Sequence, residues 1–163
     1  MSYDSGMEET LPPRLLDITA FVLARTGRIG RARMGAMTDG RGLGLWHLAV
    51  LAALDDAAPA SQRGLGARLR IDPSDLVEVV GRLADAGLVR RERDPADRRR
   101  YVVELTARGR AELDAITAEA ARLDAELLAP LDGPERAQLK SMLGRILAHH
   151  DPGARPPEQD AGT

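Results

Sequence analysis

Eight arginines (Arg90, Arg91, Arg93, Arg98, Arg99, Arg100, Arg108 and Arg110) stand between Gly87 and Arg110, against four acids, Glu92, Asp94, Asp97 and Glu104. The segment has a local excess of four positive charges, while the whole chain carries −2. Clustered guanidinium groups neutralise phosphates and release their counterions, which is the chemistry of a nucleic-acid backbone contact. Charge alone fits a solvated arginine-rich loop equally well. Residue order adds more. Asp94-Pro95-Ala96-Asp97 has turn chemistry, and the flanking stretches Leu88 to Arg93 and Arg100 to Leu105 read as a short strand pair.

Other chemistries lack their parts. The chain has no cysteine, which excludes disulfides, thiolate zinc sites and thiol redox sensing. It has no nucleophile elbow, P-loop or metal-ligand spacing. The glycine cluster Gly40-Arg41-Gly42-Leu43-Gly44 follows no strand, so it is unsuited to a dinucleotide. His149 and His150 suit the C-terminus of a helix but are too few to hold a metal. No enzyme activity, cofactor, metal or catalytic residue is expected. No apolar run approaches the roughly 20 residues that span a bilayer. The first residues lack a basic and apolar leader, so a soluble cytoplasmic chain without a membrane partner is expected.

The elements that must hold the arginine-rich segment are mainly helical. The chain is rich in Ala, Leu and Arg, with one Trp, one Phe and two Tyr in 163 residues. Leu11, Leu15, Ile18 and Val22 recur at helical spacing and predict one long helix from Leu11 to about Met37, weakened by Gly27, Gly30 and Gly35. A second helix is predicted from Leu45 to Ala57, with Leu45, Leu48, Leu51 and Ala52 on one face. Ser61 is an N-cap for a short helix to Arg68. Asp72 or Ser74 starts the next, with Leu76, Val79, Val80 and Leu83 inward and Gly87 ending it. Thr106 caps a helix to about Ala129, with Leu113, Ile116, Ala120, Leu123 and Leu127 on one stripe. Pro134 opens the last, to about His149, with Leu139, Met142, Leu143, Ile146 and Leu147 apolar.

Two short helices followed by a hairpin form a helix-turn-helix with a wing. The long terminal helices carry broad apolar stripes that one chain would leave exposed, which marks an interface, and a two-fold dimer closes it most simply. The expected fold is therefore mainly α with a small β-hairpin wing: a winged helix-turn-helix with an all-helical dimerisation domain. Residues 44–109 form the winged lobe, 11–37 with 110–150 the dimerisation helices, and 1–10 and 151–163 disordered ends.

Three further stretches run in order: Gly81-Arg82-Leu83-Ala84-Asp85-Ala86-Gly87-Leu88-Val89, Asp97-Arg98-Arg99 and Leu105-Thr106-Ala107-Arg108-Gly109. With Asp72-Pro73-Ser74-Asp75-Leu76 before them, they resemble the MarR family of bacterial regulators. The pattern is a recognition helix ending in Gly-Leu-Val, a wing with Asp-x-Arg, and a Leu-Thr-x-x-Gly entry to the next helix. The resemblance covers Leu11 to about His150, and its specific part is roughly residues 61–109. It implies an obligate homodimer on a palindromic duplex, acting mostly as a repressor. It also implies release by a small phenolic or anionic effector bound between the dimer helices and the DNA-binding lobe.

In that architecture the helix from Asp72 enters the major groove, with Ser74, Asp75, Glu78 and Arg82 outward. An acid there accepts from a cytosine amine, but Asp75 also serves the helix dipole and Glu78 stands four residues before Arg82, a spacing that permits an ion pair. Ser61, Gln62 and Arg63 approach the backbone, Ser61 with N-capping as its alternative. The resemblance maps the minor-groove arginine to Arg99, held by Asp97, with Arg98 and Arg100 on the opposite face as backbone contacts or partners of acids. Trp46 and His47 are the ligand-lining candidates; the alternatives are core packing for Trp46 and a surface or cap role for His47. A winged helix used only for protein–protein contact is the rival reading.

Overall fold

The computed structural model describes residues 10–57, 59–94, 101–151 and 153. Helix α1 (Pro13–Leu16) is followed by α2 (Thr19–Asp39) and α3 (Leu45–Asp56). Strand β1 (Ala60–Ser61) leads directly into α4 (Gln62–Leu69), and α5 (Pro73–Asp85) follows. Strands β2 (Val89–Arg93) and β3 (Tyr101–Leu105) precede α6 (Ala107–Leu127) and α7 (Gly133–His150). The sheet is antiparallel in the order β1-β3-β2. The mainly helical winged fold is thus observed.

Three expectations need correction. The first helix is not continuous: Ile18 is extended (φ −90°, ψ 101°) and separates α1 from α2. Asp17, Ile18 and Thr19 are three weak helix formers in a row, so the break falls there. The strand pair gains a third member, β1, which pairs Ala60 with Val103 and Ser61 with Val102. The inward face of α3 keeps only Leu51 of the expected Leu45, Leu48, Leu51 and Ala52 fully buried, with Leu48 partly buried against the core. His47, Val50, Leu51, Ala53 and Leu54 are buried and Ala52 is exposed. A helix apolar almost all round carries no polar stripe to mark its outer side.

The core gathers residues of α2, α4, α5, β2, β3 and α6 around α3. Val50, Leu51 and Leu54 meet Leu65 of α4, Val80 and Leu83 of α5, Val103 of β3 and Ile116 of α6, all 0–1% exposed. The turn between α4 and α5 is made by Arg70, whose φ of 52° is left-handed and whose side chain pairs with Asp151 at 3.1 Å. The end of α5 follows the expected glycine logic. Gly87 has φ +70°, its N–H donates to Ala84 O at 2.9 Å, and Leu88 N–H donates to Leu83 O at 2.9 Å. Buried Leu83 and Leu88 complete this double-bonded helix stop.

Outside that core the terminal helices are bare. No residue of α7 is buried. Met142, Leu143, Ile146 and Leu147 are 40–53% exposed, and Leu16, Val22, Leu23 and Ile29 on the first two helices, with Ile18 between them, are 39–51% exposed.

Candidate nucleic-acid interface

Helix α5 presents the outward residues. Its four buried side chains, Leu76, Val79, Val80 and Leu83, fix the helix against the core. Ser74, Asp75, Val77, Glu78 and Arg82 are thereby left exposed. Asp72 caps the helix, accepting from Ser74 N–H at 2.8 Å and from Ser74 Oγ at 2.5 Å. The Ser74 hydroxyl and then its N–H hold the Asp72 carboxyl below its ordinary pKa. The Ser74 hydroxyl hydrogen is therefore engaged, and its oxygen lone pairs are what it offers outward. Glu78 and Arg82 do not form the ion pair that their spacing permits. Arg82 Nη2 donates instead to Gly42 O at 3.2 Å, tying α5 to the turn before α3.

The start of α4 lies beside this helix. Ser61 Oγ accepts from Gly64 N–H at 3.1 Å, so the N-cap role is filled. Gln62 Oε1 accepts from Arg91, while Gln62 Nε2 is buried and has no partner. Arg63 is exposed. Gln62 and Arg63 border a cleft of about 480 Å³ whose far side is Pro73, Leu76 and Val77 of α5. The structure thus brings Gln62 and Arg63 next to the N-terminal half of α5.

The wing is partly neutralised by its own acids. Arg90 donates to Glu104 Oε2 from Nε (2.9 Å) and Nη2 (2.5 Å), and lies 3.2 Å from Glu92. Register sets the first pair, since Arg90 faces Glu104 across β2 and β3. At the last described rung Arg93 sits over the Tyr101 ring, 5.7 Å from its centroid. Asp97, Arg98, Arg99 and Arg100 lie outside the described residues.

The structure corrects the core alternative for Trp46 and keeps the cap alternative for His47, though as a buried ring. Trp46 is 49% exposed rather than in the core, and His47 is 6% exposed. His47 stands at the third position of α3, and its Nδ1 accepts from Gly44 N–H at 2.9 Å. This is a cap made by a ring that reaches back to the preceding loop, and it assigns the proton to Nε2, which is buried without a partner. Neither the α4–α5 cleft nor the open apolar cleft along Met142, Arg145, Ile146, His149 and His150 includes Trp46 or His47. Among the described residues no three His, Asp or Glu side chains gather as a metal site, and no helix is long and apolar enough to cross a membrane.

Burial first, then Arg82, pushes the His47 pKa below its ordinary value, and Glu78 opposes this. The unfolded chain then takes up a proton near pH 6.5 that the folded chain refuses. Stability is full above that pH and falls as pH drops from about 6.5 toward the lower folded value. His47→Gln, which keeps an acceptor for Gly44 N–H, is expected to flatten this fall. Melting midpoints of both proteins between pH 5 and 7.5 check it; parallel curves would remove His47 as the cause.

One link escaped the sequence reading. Arg41, in the turn between α2 and α3, donates to Glu112 Oε1 and Glu119 Oε2 of α6, each at 2.7 Å. The Glu119 and Glu112 bonds raise the Arg41 pKa further. Arg110 of α6 pairs with Asp55 of α3. The partners are 71 and 78 residues from Arg41, so no local pattern announces them.

A family model described as MarR family matches residues 41–100. An HTH-type transcriptional repressor of Mycobacterium tuberculosis is 30% identical over 126 residues, covering 77% of this chain and 91% of its own length. A MarR family protein of the same organism, solved in complex with DNA, has a TM-score of 0.68 at 29% identity, over 79% of this chain and 97% of that one. CouR from Rhodococcus jostii, solved bound to p-coumaroyl-CoA, has a TM-score of 0.69 at 27% identity, over 85% of this chain and 95% of that one.

Proposed function

The chain belongs to the MarR family of transcription regulators, and on that premise we propose that it is a repressor that binds a palindromic DNA duplex as a homodimer in the cytoplasm. In this reading it acts by binding rather than by catalysis. The observation that carries this reading is α5: an apolar face fully inserted in the core and a polar outer face left free beside the start of α4. The repressor named in Mycobacterium tuberculosis and the DNA complex solved for a family member support it.

In this reading α5 enters the major groove. Ser74, Asp75 and Glu78 face base edges, the two acids favouring cytosine amines. Gln62 and Arg63, with Ser61 at the cap, meet the backbone, and Arg82 braces α5 against Gly42 while remaining near the phosphates. Arg99, steadied by Asp97, reaches the minor groove, with Arg98 and Arg100 toward the backbone. Release by a small ligand is part of the proposal, supported by the CoA ester held by CouR. Trp46 is the exposed aromatic surface such a ligand would meet; His47 is committed to its cap.

A duplex titration at several salt concentrations tests the reading. Affinity for one selected sequence is expected to fall steeply with salt, and Arg99→Ala to weaken it while the dimer persists. Absence of duplex binding, or affinity without a salt slope, favours the rival protein–protein module.

A further inference from the structure

The outer face of α5 holds one side chain that its polar neighbours do not explain. Val77 follows buried Leu76 by one residue and is 55% exposed, the highest value among the exposed large hydrophobics of the described residues. A β-branched residue on the open side of a helix is unfavoured twice over, by helix propensity and by apolar exposure. Its surroundings are shaped around it. Gly81, four residues on and one turn along the same flank, has nothing within 4 Å of where a Cβ would stand, so the surface beside Val77 is bare. On the other side the cleft continues through Leu76, Pro73 and Ile71 to Gln62 and Arg63. The valine methyls therefore stand between an open strip and the end of α4 that is assigned to the phosphate backbone.

The major-groove edges of the four base pairs are polar with one exception, the 5-methyl group of thymine. We propose that Val77 is a specificity-determining residue that reads a thymine, by packing its methyl groups against that 5-methyl in the major groove. The inference rests on the DNA-binding reading above and names a base for it. Ser74 and Glu78, three residues before and one after, then flank the contact with hydrogen-bonding groups. Gly81 leaves room for the base edge.

The test uses the full-length protein and duplexes that carry its selected half-sites, with each thymine replaced in turn by uracil. Uracil keeps every hydrogen bond of thymine and lacks only the methyl. At one thymine per half-site, uracil is expected to lower wild-type affinity about fourfold, the value of one buried methyl. Val77→Ala is expected to bind the thymine duplex more weakly by a similar factor and to be indifferent to uracil at that position. The alanine variant is expected to melt no lower than the wild type, which separates recognition from folding. No uracil effect in the wild type, or the same effect in both proteins, overturns the role of Val77 and leaves duplex binding standing. Absence of selective duplex binding in the wild type overturns both.

Discussion

Deletion of residues 133–163 is expected to yield a folded monomer. Every buried core residue lies at or before Ile116, so the lobe keeps its interior without α7. Helix α7 itself has no buried residue, yet it carries Met142, Leu143, Ile146 and Leu147 at 40–53% exposure. Half-exposed side chains of this size each have on the order of 1 kcal/mol still to gain from burial. Four from each of two protomers are enough to change a dimer constant by several powers of ten, after association costs are met. In the proposed dimer the complementary surface would be α1, α2 and the residue joining them, where Leu16, Ile18, Val22, Leu23 and Ile29 are also uncovered. Light scattering behind a sizing column, run across concentration, reads the result directly. A truncated chain that stays dimeric at micromolar concentration would place the interface elsewhere. Operator affinity is expected to fall with the dimer, because two half-sites are then no longer bound by one tethered molecule.

Gly109→Ala is expected to cost the fold about 3 kcal/mol or more, beyond the usual range for an overpacked side chain. Gly109 sits in the first turn of α6, where its N–H donates to the capping Thr106 Oγ1 at 2.9 Å. A Cβ there would fall on the Leu88 carbonyl oxygen and lie 2.9 Å from Leu105 Cδ1. That carbonyl cannot yield cheaply, because it accepts from Thr106 N–H at 3.1 Å and Thr106 Oγ1 at 3.0 Å. The whole junction of wing and α6 is built on this close approach. A loss of about 3 kcal/mol lowers the melting midpoint of a chain this size by roughly 6–12 °C. Gly81→Ala provides the contrast, since a mid-helix glycine with empty surroundings gains up to about 1 kcal/mol from alanine. Equal effects at the two glycines would contradict the close approach.

The sequence made the local signals legible. Ser61, Asp72, Thr106 and Gly87 stand where capping chemistry puts them, because a cap is decided within four or five residues. What depended on distant partners was hidden. Strand β1 is two residues long and exists through its pairing with Val102 and Val103, so no alternation announces it. The outward Trp46 and the buried ring of the capping His47 have the same origin. Size and apolarity argue for a buried Trp, but the register of α3 is set by Val50, Leu51 and Leu54, and it turns the neighbouring histidine inward. On the candidate interface, the packed chain brings Gln62 and Arg63 beside α5, and no local pattern announces the Arg91 bond that occupies the Gln62 carbonyl. Long-range polar partners of this kind, like Arg41 with Glu112 and Glu119, are properties of the packed chain.

Helix α6 has 21 residues and so spans about 31 Å. Its first half is embedded in the lobe through Gly109, Leu113 and Ile116, and is clamped there by Arg41 and Arg110. Its far end runs beside α2, where Leu127 lies against Gly30. The clamps make the lobe and the helix turn together, as a load bolted to a lever. A tilt of about 10° at the far end then swings the lobe by about 5 Å. That displacement exceeds the roughly 3.4 Å step from one base pair to the next. Under the proposed function, a small repacking among the terminal helices would thereby become a loss of phase with the double helix, without any change inside the lobe itself.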